Sequence, residues 1–300
     1  MSELQPTTED LIDFIKVAHA GQIDKGAGKP YWEHPVAVMN ELPDFASPEL
    51  KAAALLHDVK EDTAFVTVQE EGEAVRLAFN EEQFAKLKET MRNAKRPTEI
   101  QLARERKELN PENTPPILQS PVISQHTLKI VDGVTNEEFV APPFTPPEGV
   151  TDPEEIKKLA KKTEAKLKLA HYQDHIIELA NTRPDDAEEL RLAEDRVLLK
   201  FADMSQNLNK DRVLALTDLD QATKFANKYE KPIQALIERA KEIAEKNGYE
   251  LNAELVVEDL GEGKKRAYLA ETPHWEKKQK FAAVEEAKPE RRWAQGAGGG

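Results

Sequence analysis

Nine of the chain's 19 prolines fall between residues 110 and 153, and a proline inside a helix removes a backbone donor and clashes with the preceding turn. That stretch cannot be regular helix. Along most of the remaining chain apolar residues recur at helical spacing. The 300 residues suffice for one large helical domain or two modest ones. Within the proline-rich stretch, HTLKIVDGVTNEEF is short and apolar enough to be ordered, so the prolines are expected to flank a packed segment.

The helices can be placed from their start signals. Thr7 or Thr8 caps a helix whose stripe is Leu11, Ile12, Phe14, Ile15 and Ala18, with Glu9 and Asp10 suited to its first turn. His19 ends that stripe, and the glycine-containing stretch 21–29 reads as a loop. His34-Pro35 starts a short helix, and Ser47-Pro48 opens another over about 49–63 that carries AAALLHDVKEDT. Residues 70–107 are charged and read as mostly helical, broken at Arg96-Pro97. Long helices follow over 152–180, 185–210 and 222–246. The period then changes: 249–258 and 265–270 are expected to pair as a hairpin across Leu260-Gly261-Glu262-Gly263. Thr272-Pro273 opens a last amphipathic helix, and the ending AQGAGGG reads as flexible.

Together these readings predict an all-α bundle with a small β-hairpin appendage near its C-terminus. Its main domain would span 1–246, with an insertion at about 65–125, and the appendage and tail would span 247–300.

Charged residues make up 33% and hydrophobic residues 39%, a balance expected of a folded, soluble chain. No apolar run approaches the length that crosses a bilayer, and MSELQPTTEDL lacks a secretory pattern, so a cytoplasmic location without membrane association is the expectation. A net charge of -14 argues against nucleic acid as a partner. The chain has no cysteine, which leaves imidazole and carboxylate as the metal ligands available.

His57-Asp58 places one of each side by side, although neighbours on a helix diverge by about 100° and reach one ion only if it lies between them. Glu61 and Asp62 follow one turn later on the same face. Such crowding of like charge is destabilising unless a cation sits among them, and the alternative is a solvated face continuing through Lys60. In VLLKFAD and its surroundings, Arg196, Lys200, Asp203 and Asn207 share one face of an apolar helix. Asp203 could complete a metal site, with Lys200 and Asn207 engaging phosphate or base. Equally, Asp203 could form a buried salt bridge with Lys200 or Arg196.

The segments HAGQIDKGAGKPYWEHPVAV, AALLHDVKEDT, IVDGVTN and DRVLLKFADMSQNL resemble, in order, the motifs of the hydrolase domain of RelA/SpoT homologues, the HD-class enzymes that degrade guanosine tetra- and pentaphosphate alarmones. The resemblance covers roughly residues 11–213 and is interrupted by the insertion. Too little chain remains for the family's synthetase domain, so it implies a hydrolase-only form with the HD-domain helical bundle. It also implies that His34, His57, Asp58 and Asp203 bind a divalent metal, usually manganese, that Glu61 and Asp62 are the catalytic acidic pair, and that Lys25 and Asn207 lie beside the substrate. The expected partner is a small nucleotide, and a homo-oligomer is left open.

Three positions depart from the pattern. Asp24 stands where the family commonly has arginine, Met204-Ser205-Gln206 replaces the middle of DRLHN, and Asn136 stands where lysine often follows VDGVT. They leave nucleotide preference open. The alternatives are an HD phosphatase acting on an adenosine alarmone or NADPH, and a non-catalytic nucleotide sensor or antitoxin-like binding protein. His19 reads as a hydrogen-bonded core residue, and His126, His171, His175 and His274 carry no acidic motif.

Overall fold

Thr7 caps helix α1 (Thr8–Ala18): its hydroxyl accepts from the Asp10 amide, and the Asp10 carboxylate accepts from the Thr7 amide. That reciprocal pair satisfies two donors that would otherwise be orphaned at the helix start. The computed structural model describes residues 6–20, 22–24, 28–63, 65–69, 74–82, 85, 121–135 and 139–278. Next come α2 (Glu33–Glu41) and α3 (Pro48–Leu56), which Ser47 caps with Pro48 in its first turn, and then the one-turn helix α4 (Val59–Asp62). Further along the chain come α5 (Gln125–Val134), capped by Ser124, and the long helices α6 (Pro153–Asn181) and α7 (Ala187–Asn207). The short α8 (Lys210–Leu214) leads into α9 (Leu219–Lys246). Asp152, Asp186 and Asp218 cap α6, α7 and α9 by accepting from amides of the following turn.

Apolar faces of these helices converge on one core in which Phe14, Leu50, Leu55, Ile130, Ile176, Leu199, Phe201, Ile233 and Leu236 are almost fully excluded from water. Burying each such side chain contributes about 1.5–3 kcal/mol. Helix α7 lies at the centre, packed against α2, α3, α5, α6 and α9, and residues 197–205 are buried on every side. Polar groups carried by that stretch are therefore forced into the interior.

The all-α expectation is wrong. Strands account for 15% of the protein against 58% helix, so the fold is mixed with helices dominating. Strands β1 (Phe65–Gln69), β2 (Ala74–Phe79) and β3 (Val122–Ser124) form an antiparallel sheet in the order β1-β2-β3, with Phe65 opposite Phe79 and Val75 opposite Ile123. The β2 segment was expected to be helical. Its alternation puts Val75 and Leu77 in the core with Arg76 between them, and Phe65 meets Phe14 of α1 edge-to-face at 4.9 Å. Most of 83–120 lies outside the described residues, including Arg96-Pro97.

At the C-terminal end β5 (Leu255–Gly261) and β6 (Lys264–Leu269) form the expected hairpin, and Gly261, Glu262 and Gly263 take positive φ values of 80°, 52° and 72° at its turn. Tyr249 and its neighbours do not belong to it: β4 (Tyr249–Asn252) pairs with β7 (His274–Lys277). The strand β7 stands where a last helix was expected. Its Trp275 packs on Phe201 and Phe45 and donates through Nε1 to the Glu41 carbonyl at 2.8 Å. The tail beyond Lys278 lies outside the described residues. Among those described, no helix is long and apolar enough to cross a membrane.

Candidate metal centre

His57 and Asp58 sit at a break rather than within one helix. His57 caps the end of α3, Asp58 caps the start of α4, and the continuous helix expected over 49–63 is interrupted between them. The break lets α3 drive Leu55 and Leu56 into the core while α4 turns Glu61 and Asp62 to the surface. His34 enters from the first turn of α2, where its amide donates to the Tyr31 carbonyl at 2.9 Å. Asp203 arrives from the buried middle of α7.

These four side chains meet. His34 Nε2 is 3.4 Å from Asp203 Oδ1 and 3.8 Å from Asp58 Oδ2; His57 Nε2 is 3.0 Å from Asp58 Oδ2 and 3.9 Å from Asp203 Oδ1. One ligand atom each from His34, His57 and Asp203 lies within 4.8 Å of the others. Ligand bonds of about 2.1 Å around a small divalent ion imply ligand–ligand separations of about 3 to 3.5 Å, close to this spacing.

The donor set fits a cation for a further reason. His57 Nδ1 lies 2.8 Å from the Ala54 carbonyl, an acceptor only, so Nδ1 carries the hydrogen and the neutral ring has its lone pair on Nε2. That Nε2 is buried, 3.0 Å from Asp58 Oδ2, and satisfied by no well-formed hydrogen bond. Facing two carboxylates, that nitrogen calls for positive charge, which a proton supplies in the cation-free protein and a metal ion would supply in its place.

Charge is concentrated here. Burial acts to lower the His57 pKa, but Asp58 and Asp203 outweigh it and raise it to about 9. Burial acts to raise the Asp58 and Asp203 carboxyls; His57 holds the first below the usual range, and Lys200 with His34 holds the second well below it. Tyr31 donates to Asp58 Oδ2 at 2.6 Å, and burial together with that carboxylate raises its phenol.

Lys200 and Asn207 both bind Asp203. Lys200 Nζ is 3.1 Å from Oδ2, and Asn207 Nδ2 donates to Oδ1 at 2.9 Å and to the Asp203 carbonyl at 3.1 Å. The buried salt bridge read as an alternative to a metal site is thus part of the same cluster. Arg196 takes no part in it: its guanidinium donates twice to the Lys129 carbonyl and crosses Gly133, where an added Cβ would meet Nε at 1.9 Å. Glu61 and Asp62 are exposed at the rim, and Gln22 ties α4 to the loop after α1 by donating to the Asp62 carbonyl at 2.7 Å. Lys60 pairs with Asp132. Lys25 and Asn136 lie outside the described residues.

Asp24 is 7% exposed and bonds Arg212 of α8 at 3.0 Å, so its carboxylate faces a guanidinium. The two residues line a groove of about 400 Å³ with Lys29, His34, Gln206 and Asn209. His19 is buried and its Nδ1 contacts Gln22 Oε1 at 2.8 Å, while His126 pairs with Asp195 at 2.9 Å. Sequence reasoning missed Tyr31, Tyr172, Lys228 and Tyr229. Only Tyr31 carried a signal, its proximity to His34 in PYWEHP.

Comparison with protein-family models, with curated proteins and with solved structures finds no match to this chain.

Proposed function

We propose that the protein is a metal-dependent phosphohydrolase of the HD class that removes the 3′-pyrophosphate from guanosine tetra- and pentaphosphate, giving GDP or GTP and pyrophosphate, with manganese as the expected cation. The observation that carries this reading is the meeting of His34, His57, Asp58 and Asp203 around a buried His57 Nε2 that lacks a hydrogen-bond partner. The motif resemblance supplies the substrate class.

In this reading the four ligands hold the cation, which when bound polarises a phosphoryl group and acidifies a water. Lys200 and Asn207 orient Asp203 through both carboxylate oxygens. Tyr31 holds the Asp58 carboxylate by donating to Oδ2, the oxygen that also faces both imidazoles. Glu61, exposed at the rim beside the ligands, accepts the proton of the attacking water, and Asp62 adds negative charge that favours keeping the cation. Asp24 is compensated by Arg212 within the groove beside His34, which Glu33 and Asp211 also line.

A second reading, hydrolysis of an adenosine alarmone or NADPH, draws on the same pair, since Arg212 arrives from α8 and not from the loop that carries arginine in the resembled family. A panel of guanosine and adenosine alarmones, deoxynucleotides and NADPH, with manganese and an assay of inorganic products, separates the readings. Pyrophosphate release from ppGpp, abolished by Asp58→Ala and Glu61→Ala, is the expected result. Turnover indifferent to both substitutions contradicts the mechanism, and binding without turnover of any compound favours the sensor.

A further inference from the structure

Lys228 lies on α9, whose buried side carries Ala222, Ala226, Tyr229, Ile233 and Leu236. Its ammonium is held against protein, 4.5 Å from the centre of the Tyr172 ring and 4.8 Å from that of Tyr229. The two rings meet edge-to-face at 6.2 Å, and Phe225 backs Tyr229 at 4.6 Å. Gln173 locks the two helices together here by donating to the Asn227 carbonyl at 2.6 Å. Aromatic faces attract a cation but leave its hydrogen-bonding capacity unmet.

The charges acting on Lys228 are those of the metal centre. Burial lowers its pKa, Lys200 lowers it further, and Asp203 and Glu61 oppose them. Lys200 has its carboxylate partner at 3.1 Å, whereas among the described residues no carboxylate lies within salt-bridge distance of Lys228. A half-buried ammonium without a carboxylate counter-ion is costly unless an anion arrives. Helix α9 packs on both α6 and α7, so Lys228 stands on a direct neighbour of the helix that carries Lys200 and Asp203.

We infer that Lys228, seated between Tyr172 and Tyr229, is a phosphate-binding residue of the candidate site, its ammonium receiving an oxygen of the phosphate or pyrophosphate group on which the metal centre acts. The assignment rests on the phosphohydrolase reading for its role in turnover, and on the geometry alone for its anion binding. A lysine suits the task because its three donors can follow a phosphoryl group as its charge shifts.

Calorimetric titration of the full chain with inorganic pyrophosphate and, separately, inorganic phosphate tests it, each with manganese and with chelator. Lys228→Met is expected to weaken pyrophosphate binding roughly tenfold or more, to raise KM more than it lowers kcat, and to leave manganese affinity and the thermal midpoint unchanged. Lys228→Arg should restore most of the affinity, and Lys228→Gln provides a polar variant if methionine compromises folding. Pyrophosphate affinity and KM unchanged in folded Lys228→Met or Lys228→Gln overturn the assignment, leaving the phosphohydrolase reading intact if the wild type turns over. A wild type that hydrolyses no nucleotide yet binds pyrophosphate through Lys228 supports the anion site and rejects that reading.

Discussion

His57 donates its Nδ1 hydrogen to the Ala54 carbonyl at 2.8 Å, one turn earlier in the same helix. This bond fixes the ring so that Nε2 faces Asp58 and Asp203. The end of α3 therefore does more than place a histidine: it selects the tautomer that a cation requires.

Metal affinity should depend on pH through this ring. In the cation-free protein the His57 pKa is raised to about 9, so below that pH a metal has to displace a proton. Manganese affinity is expected to climb by up to about tenfold per pH unit from pH 6.5 toward 9. The linked stability has the opposite slope. Imidazolium pairing with Asp58 and Asp203 stabilises the metal-free fold fully below the ordinary value of 6.5, and that contribution is lost as pH rises through about 9. Calorimetric titration at pH 6.5, 7.5 and 8.5 reads the first trend and metal-free thermal scans read the second; a flat affinity profile contradicts the account.

Asp203→Asn should destabilise the metal-free protein as well as impair metal binding. Lys200 is 6% exposed and Asp203 is its partner at 3.1 Å, so the substitution leaves a buried ammonium without its counter-charge. Breaking one side of such a pair costs about 3 kcal/mol. Adding Lys200→Met to Asp203→Asn is expected to recover much of that loss. Urea denaturation of the two variants against wild type measures both effects, and equal stability of single and double variants argues against the coupling.

A second buried carboxyl gives a pH effect away from the metal. Burial pushes Glu41 from the ordinary value of 4.5 up to about 8, against the effect of its bond from Gln206, and its Oε2 has no partner. The folded protein keeps a proton there that the unfolded chain releases. Stability from this group is thus present below about pH 4.5 and lost as pH rises through about 8. Glu41→Gln should flatten this decline and be the more stable form at pH 8, on the order of 1 kcal/mol. Urea midpoints at pH 5, 6.5 and 8 decide it, and parallel profiles for the two proteins reject it.

The meeting of His34, His57, Asp58 and Asp203 was legible because each sits in a short motif whose flanking residues fix it locally. A cap, a helix end or an apolar helix face placed each one. What escaped was set by partners distant in sequence. Lys228 reads as the polar side of an amphipathic helix, and the approach of Tyr172 from α6 is what the sequence does not show. Strand β2 has a clear alternation in AVRLAF, but the charged residues after it dominate a wide window, and its partner β3 begins only at Val122. Tyr249 was assigned to the nearer hairpin because local pairing is the simplest expectation, whereas β4 pairs with β7 across the whole β5–β6 unit. The junction between α3 and α4 could not be read either, since no glycine or proline marks it; it is visible only once His57 is seen to bond backward to Ala54.

Manganese stoichiometry is the most direct measure of the central claim. Wild type stripped with chelator, reloaded and desalted is expected to retain one manganese ion per chain, read by elemental analysis and by the loss of free-ion paramagnetic signal. His57→Ala and Asp203→Ala, checked for folding by circular dichroism, should retain almost none. Stoichiometry and affinity unchanged in these two folded variants would place any bound metal elsewhere and contradict the account.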